Sequence, residues 1–351
     1  MCPRTVFQRI SASFGILNNL FLIFLIIAKS PKKLGNYKYL MIYISVFEIL
    51  YAVLDGLIVP RMFSEGSAAL VLTHVREAWL PYDLLLPANV LYCTFFGASM
   101  AVFAIHFIYR YLVVSGSWYL ASHDLKVITS LLLFPLIFGL FWTVLSYFSF
   151  GPFPEADLFL ERDYLPSNEL TLSDVSYVGL YFYPVDVHGT EYTGWKTIIG
   201  FSLQGIFITL SSVLIFCFGY KCHQYTKGLS NTAIHSVSYR NLQSQLFYAL
   251  VFQTIIPVFL MHIPCSASFG AAFFNISIEF VSQVLSCTIS LFPALDPLPS
   301  LFIIKNYRMA IYDICKGLFN RIPCKGKQPE VQFVESRTDI KITQKSKISV
   351  F

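Results

Sequence analysis

Residues 21–55 read FLIFLIIAKSPKKLGNYKYLMIYISVFEILYAVLD, two apolar runs joined by a segment with four lysines. A bilayer core about 30 Å thick needs about 20 mostly apolar residues per helix. Extended to about 7–28 and 39–60, both runs meet that length. Five more stretches do so at about 88–110, 127–150, 197–219, 244–266 and 276–304. Composition agrees: 56% of the 351 residues are hydrophobic and 13% are charged, where a soluble domain carries roughly a quarter charged residues. The chain reads as an all-α membrane protein, a seven-transmembrane helix bundle occupying 1–304. The third stretch opens on small and polar residues and the fifth carries Gln204 with several Ser and Thr, which predicts that both face other helices.

Lysine and arginine set the direction of insertion. The four lysines of 29–38, against two arginines in the N-terminal segment, predict the N-terminus outside and this loop in the cytosol. Alternation then puts the loops at 111–126 and 220–243 and everything after 304 inside, where 19 of the 25 Lys and Arg residues collect with Arg110 counted. The segment 151–196 carries eight acids against Arg162 and Lys196 and falls outside. Its length and acidity fit a lid over a pocket or a solvated linker. The first run is longer than a signal-peptide core and no A-x-A site precedes Lys29, so it is expected to be retained.

Eight cysteines are present, none in 151–196. Cys93 is therefore free or paired elsewhere, Cys265 being one partner. Residues 305–320 place apolar Ile311, Ile314, Cys315 and Leu318 at helical spacing opposite Lys305, Arg308 and Lys316, an amphipathic juxtamembrane helix. Cys315 and Cys324 are palmitoylation candidates there. The polar, basic remainder, 321–351, reads as a disordered cytoplasmic tail with serines and threonines open to phosphorylation.

Ionisable residues inside spans are costly and mark functional sites. Glu48 and Asp55 stand seven apart on one face of the second helix, Arg110 ends the third, and Asp296 precedes Pro297 in the seventh. Pairing within the bundle is the structural alternative for each. Pro135, Pro257, Pro293 and Pro297 fall inside spans and permit kinks. No GxSxG, HExxH, Walker loop or CxxC pair is present, so no catalytic residue, metal or cofactor is expected, and nothing suggests nucleic acid. No internal repeat of the kind built into many transporters is visible.

Four segments carry a resemblance. They are LGNYKYLM at 34–41 followed by SVFEILYAVLD, HFIYRY at 106–111, RNLQSQLFYALVFQTIIPVF at 240–259, and FPALDPL at 292–298 followed by FIIKNYR. Together they resemble the nematode Str family of serpentine chemoreceptors, the group that includes the diacetyl odorant receptor. The resemblance implies a G-protein-coupled chemosensory receptor for small odorants or soluble chemicals, multi-pass in the plasma membrane of sensory cilia. It implies a heterotrimeric G protein and lipid as partners, and leaves dimerisation open. Tyr109-Arg110-Tyr111 is similar in position to the Arg-centred triplet of rhodopsin-like receptors, with Tyr109 where an acid is usual. Asp296-Pro297 resembles their seventh-helix Asn/Asp-Pro motif, with Ser300 where a tyrosine is usual. The expected ligand wall is Tyr92, Phe95, Phe96, Ser99, Gln204, Phe259, His262 and Gln283. The alternatives are a ligand-gated cation channel of the insect kind, whose inside N-terminus the lysines oppose, or a small-solute transporter.

Overall fold

A computed structural model describes residues 2–230, 236–277 and 279–321. Seven helices long and apolar enough to cross a membrane dominate it. The first three are α1 (Pro3–Lys29), α2 (Tyr37–Ile58) and α3 (Tyr82–Val114), followed by α4 (Trp118–Phe150). A short α5 (Pro154–Phe159) precedes α6 (Trp195–Ser230), the fifth crossing. The sixth crossing is α7 (Val237–Pro257), a π-turn (Val258–His262) and α8 (Ile263–Phe273). The seventh is α9 (Glu279–Leu295) with α10 (Pro297–Ile303), and α11 (Lys305–Arg321) follows. The helices overrun the expected spans, α3 starting at Tyr82 rather than 88 and α6 running to Ser230 rather than 219. Hydropathy sees only the stretch that lipid covers, whereas helical hydrogen bonding continues past it into polar residues. Two crossings are exceptions: α2 stops at Ile58, before the expected 60, on Val59 in the left-handed region (φ 46°), and the seventh, Glu279 to Ile303, stays within 276–304.

The helices are apolar on their outward faces. Leu17, Phe24, Ile27, Ile137, Leu140, Phe148, Ile206 and Phe216 are all exposed, a continuous surface that only lipid can cover. The third helix does run through the interior, buried along most of its length. The expectation for the fifth holds in part: α6 is largely exposed, but Gln204 bonds Ser146 of α4 and Ser211 is buried. On its exposed side the hydroxyls need no partner helix, since Thr209 Oγ1 donates to the Gly205 carbonyl and Ser212 Oγ to that of Ile208, each at 2.8 Å.

Two of the prolines reshape the bundle. Pro257 precedes the π-turn, and Pro297 separates α9 from α10 at Asp296. Pro135 sits in α4 without breaking it, and the break in that helix is at His123 instead (φ −138°, ψ 32°).

A sheet, which hydropathy did not suggest, covers one end of the bundle. Strands β1 (Arg61–Glu65), β2 (Ala68–His74) and β3 (Val175–Tyr181) pair antiparallel in the order β1-β2-β3. The register sets Phe63 opposite Leu70 and Val71 opposite Val178. The alternation of strand side chains explains the burial. Ala68, Leu70, Leu72, Val175, Tyr177 and Tyr181 pack against Ala156, Phe159, Leu160 and Tyr164. Ala69, Val178 and Leu180 turn the other way, against Val90, Phe150 and Ala272 of the helices. A sheet buried on both faces reads as one apolar run, which is why AALVLTH carries no strand-like alternation. The 151–196 segment is thus folded, its acids exposed or half-buried and its strand on the bundle. Gly179 belongs to this contact: a Cβ there would overlap the Ala69 carbonyl and stand 2.6 Å from Leu70 Cα.

Candidate ligand cavity and switch

Beneath the sheet lies a cavity of about 340 Å³. Its floor and sides are Tyr92 and Phe96 of α3, Trp142 and Ser146 of α4, Gln204 and Ile208 of α6, and His262, Cys265 and Phe269 of the sixth crossing. Its roof is Met62, Ala69, Val71, Val178, Gly179 and Leu180 of the sheet. Trp142 fits tightly because Gly97 faces it, and any Cβ at Gly97 would overlap the indole. Gly205 and Thr209 of α6 and Ser266 of α8 line the cavity and are also exposed, so it opens sideways between these helices.

Few polar groups enter it. Gln204 Nε2 donates to Ser146 Oγ at 2.8 Å. Ser99 Oγ donates to the Phe96 carbonyl (2.8 Å) and lies 3.0 Å from His262 Nε2. With its one proton so used, the serine accepts from Nε2–H, and Nδ1 of His262 is left as an acceptor. The His262 ring also packs on Phe96, with centroids 4.7 Å apart. The buried Trp142 indole N–H has no partner. Cys93 and Cys265 both line the cavity as free thiols.

Of the expected wall, Tyr92, Phe96, Gln204 and His262 are brought together here. Ser99 stands behind His262. Phe95 is elsewhere, stacked on Tyr51 (5.5 Å) and close to Phe47 (5.0 Å). Phe259 is 65% exposed on the outward side of the π-turn, because the extra residue per turn there rotates it away. The side chain of Gln283 lies outside the described residues. Trp142, Ser146 and the whole roof were not anticipated, for the roof comes from strands remote in sequence.

Tyr92 joins the cavity to the interior. Its hydroxyl donates to Asp55 Oδ1 at 3.3 Å, and Ser290 of α9 donates to Asp55 Oδ2 at 2.8 Å. About two turns deeper, Glu48 lies beside Asn19 and Asp296. Gln253 Nε2 donates to Asp296 Oδ2 (3.1 Å), and Ser300 Oγ donates to Gln253 Oε1 (3.0 Å). Pro297 has no N–H for the carbonyl of Pro293, four residues earlier. Asn19 Nδ2 supplies the missing bond at 3.1 Å, while Asn18 Nδ2 bonds the Ala294 carbonyl at 2.8 Å.

Arg110 is at the far end and almost wholly buried. Its Nη2 donates to the Gln243 carbonyl of α7 at 2.9 Å, and its guanidinium lies 5.1 Å from the Tyr37 ring centre. Tyr109 stacks on Tyr37 (5.8 Å) and donates to Asp124 Oδ1 at 3.4 Å. Asn36 bonds the other oxygen of that carboxylate. Tyr111 packs on Phe218 and Tyr225 of α6. The triplet therefore touches α2, α4, α6 and α7, and a backbone carbonyl with an aromatic face stands where an acid would hold the arginine.

A bundle of seven apolar helices with a roofed cavity at one end and a buried arginine at the other has the architecture of a serpentine receptor. Superposed on squid rhodopsin, the fold gives a TM-score of 0.58 over 92% of this chain and 84% of that one, at 13% identity. The sequence profile described as "Serpentine type 7TM GPCR chemoreceptor Str" matches residues 4–312. G-protein coupled receptor str-217 of Caenorhabditis elegans is 35% identical over 307 residues, 87% of this chain and 88% of the relative. Serpentine receptor class r-10 of Caenorhabditis briggsae is 31% identical over 303 residues, 84% and 85% of the two chains. The chain belongs to the Str family of serpentine chemoreceptors and is a multi-pass membrane protein.

Proposed function

We propose that the chain is a chemosensory receptor whose small, mainly apolar ligand, an odorant or soluble chemical, occupies the roofed cavity and activates a heterotrimeric G protein at the Arg110 end. The observation that carries this reading is the route from the cavity wall through Tyr92 and Asp55 to Ser290. A ligand pressing on Tyr92 bears directly on the second and seventh helices. Apolar walls with a few fixed polar groups suit such a ligand, and the sideways opening admits it from the lipid. Only a ligand with different affinity for two packings shifts their balance. The proline-broken sixth and seventh helices supply alternative packings.

On this reading the sheet and the N-terminus face outward, and the lysines of 29–38 face the cytosol with Arg110. Display on a sensory cilium belongs to this reading, and the family's description as chemoreceptors supports it. Cys315, exposed on α11, is a palmitoylation candidate; Cys324 and the tail lie outside the described residues. No cofactor, metal or enzymatic step is invoked.

The test is calcium imaging of cells expressing the chain during a screen of volatile and soluble chemicals. For an agonist so found, Gln204→Ala and His262→Ala should raise the half-maximal concentration about tenfold, the order of one lost polar contact. Arg110→Ala should abolish the response with surface display intact. A response that survives without any Gα subunit overturns the receptor reading in favour of a channel.

A further inference from the structure

Beside the apolar cavity lies a second, polar cleft of about 700 Å³, and Met62 of β1 lines both. Arg4, in the first turn of α1, and Arg61, which opens β1, line it together. Both guanidiniums donate through Nη2 to one carboxylate, Glu77, at 3.5 and 2.6 Å. One carboxylate cannot neutralise two guanidiniums, so about one positive charge is left over. Arg9 adds to it from the side, its Nη2 on the Glu77 carbonyl at 2.6 Å and its guanidinium over Trp79.

Three donors there are unspent. The Nε atoms of Arg4 and Arg61 and the hydroxyl of Ser64 are buried without partners. Ser64 is only 3% exposed and lines the cleft. Buried donors without partners are rare and call for an acceptor. Cys2, the residue capping α1, also lines the cleft, and its side chain makes no capping bond, so the positive end of that helix faces the same space. Two acids sit in the lining as well, Glu65 and Asp163. Asp163 is gripped by Arg162 at 2.7–3.0 Å, and Glu65 lies within the field of the same arginine. Arg162 answers one of these two charges, so four guanidiniums, with Arg9 counted, stand against the three carboxylates Glu77, Glu65 and Asp163, and about one positive charge remains.

We propose that this cleft binds a small organic monocarboxylate, its carboxylate on Arg4, Arg61 and Ser64 and its short chain against Met62 and Phe63. A monoanion matches the single uncompensated charge, and a planar carboxylate matches guanidinium N–H groups. The site is separate from the apolar cavity and does not depend on G-protein coupling.

Receptor purified into lipid nanodiscs and titrated calorimetrically with butyrate and, in parallel, butanol at low ionic strength tests this. Butyrate should bind about tenfold or more tightly than butanol, and Arg4→Gln and Arg61→Gln should each weaken it about tenfold, as loss of a charge-assisted bond implies. Ser64→Ala, which leaves the Glu77 pairs intact, should weaken it about threefold. Added salt should weaken butyrate binding and leave butanol unchanged. Equal heats for acid and alcohol overturn the proposal. So does butyrate affinity unchanged in Arg4→Gln and Ser64→Ala proteins that melt like the wild type.

Discussion

Asn19 illustrates how single residues hold this bundle together. Pro297 deprives the Pro293 carbonyl of its helical partner, and inside a membrane no water is available to replace it. Asn19 therefore substitutes for the backbone. Asn19→Ala should lower stability by about 1–3 kcal/mol, the cost of a buried unsatisfied carbonyl. Thermal unfolding in detergent measures it, and Pro297→Ala should recover part of the loss by returning an N–H. Additive losses in the double variant would refute the compensation. Arg110 follows a similar logic, since a buried guanidinium must be met by something and Gln243 and Tyr37 meet it. Its position was evident from HFIYRY. Its partners were not, because a carbonyl and a ring face leave no charge signature in the sequence.

Among elements, the sheet end is the part most exposed to pH. Burial, helped by the Arg61 charge, pushes the His74 imidazole down to about 4 from 6.5, and His74 Nε2 lies 2.7 Å from the Tyr164 hydroxyl. The unfolded chain then takes up this proton near 6.5 while the folded one resists until about 4. Stability is full above the upper value and is lost as pH falls between the two. Glu77 acts in the same direction. Burial works against ionisation there, but the Arg61 hydrogen bond and the charges of Arg61 and Arg4 hold its carboxyl below the usual value. That stability too is present above the ordinary carboxylate pKa and is lost as pH falls through the lowered one. Protection factors of the β2 and β3 amides, exchange rates divided by the intrinsic rate at each pH, should fall between neutral pH and about pH 5, and His74→Gln should flatten the change. Protection factors that do not change with pH over that range would count against the account. The strands themselves escaped notice because both faces are covered, and a doubly covered strand looks like a fragment of buried helix.

At the scale of the whole molecule, the apolar outer belt and the collection of basic residues at the Arg110 end carry the expected direction of insertion. In intact cells expressing a receptor whose exposed native cysteines, Cys2 included, are replaced by serine, a membrane-impermeant maleimide should label Thr190→Cys, on the sheet side, and spare Lys33→Cys. The reverse pattern would turn the receptor inside out and remove the G-protein reading with it. The number of crossings, the apolar belt, the intramembrane acids and the Arg110 triplet were all determined by sequence alone, because lipid imposes length and polarity on each span independently of its neighbours. The tertiary structure decided the rest. Half the expected ligand wall, Tyr92, Phe96, Gln204 and His262, does meet in one cavity, yet the roof, the turning-out of Phe259 and the Arg4–Arg61 cleft depend on strands 61–74 and 175–181 pairing across a hundred residues. Such long-range pairing is a property of two segments at once, and no single window of sequence contains it.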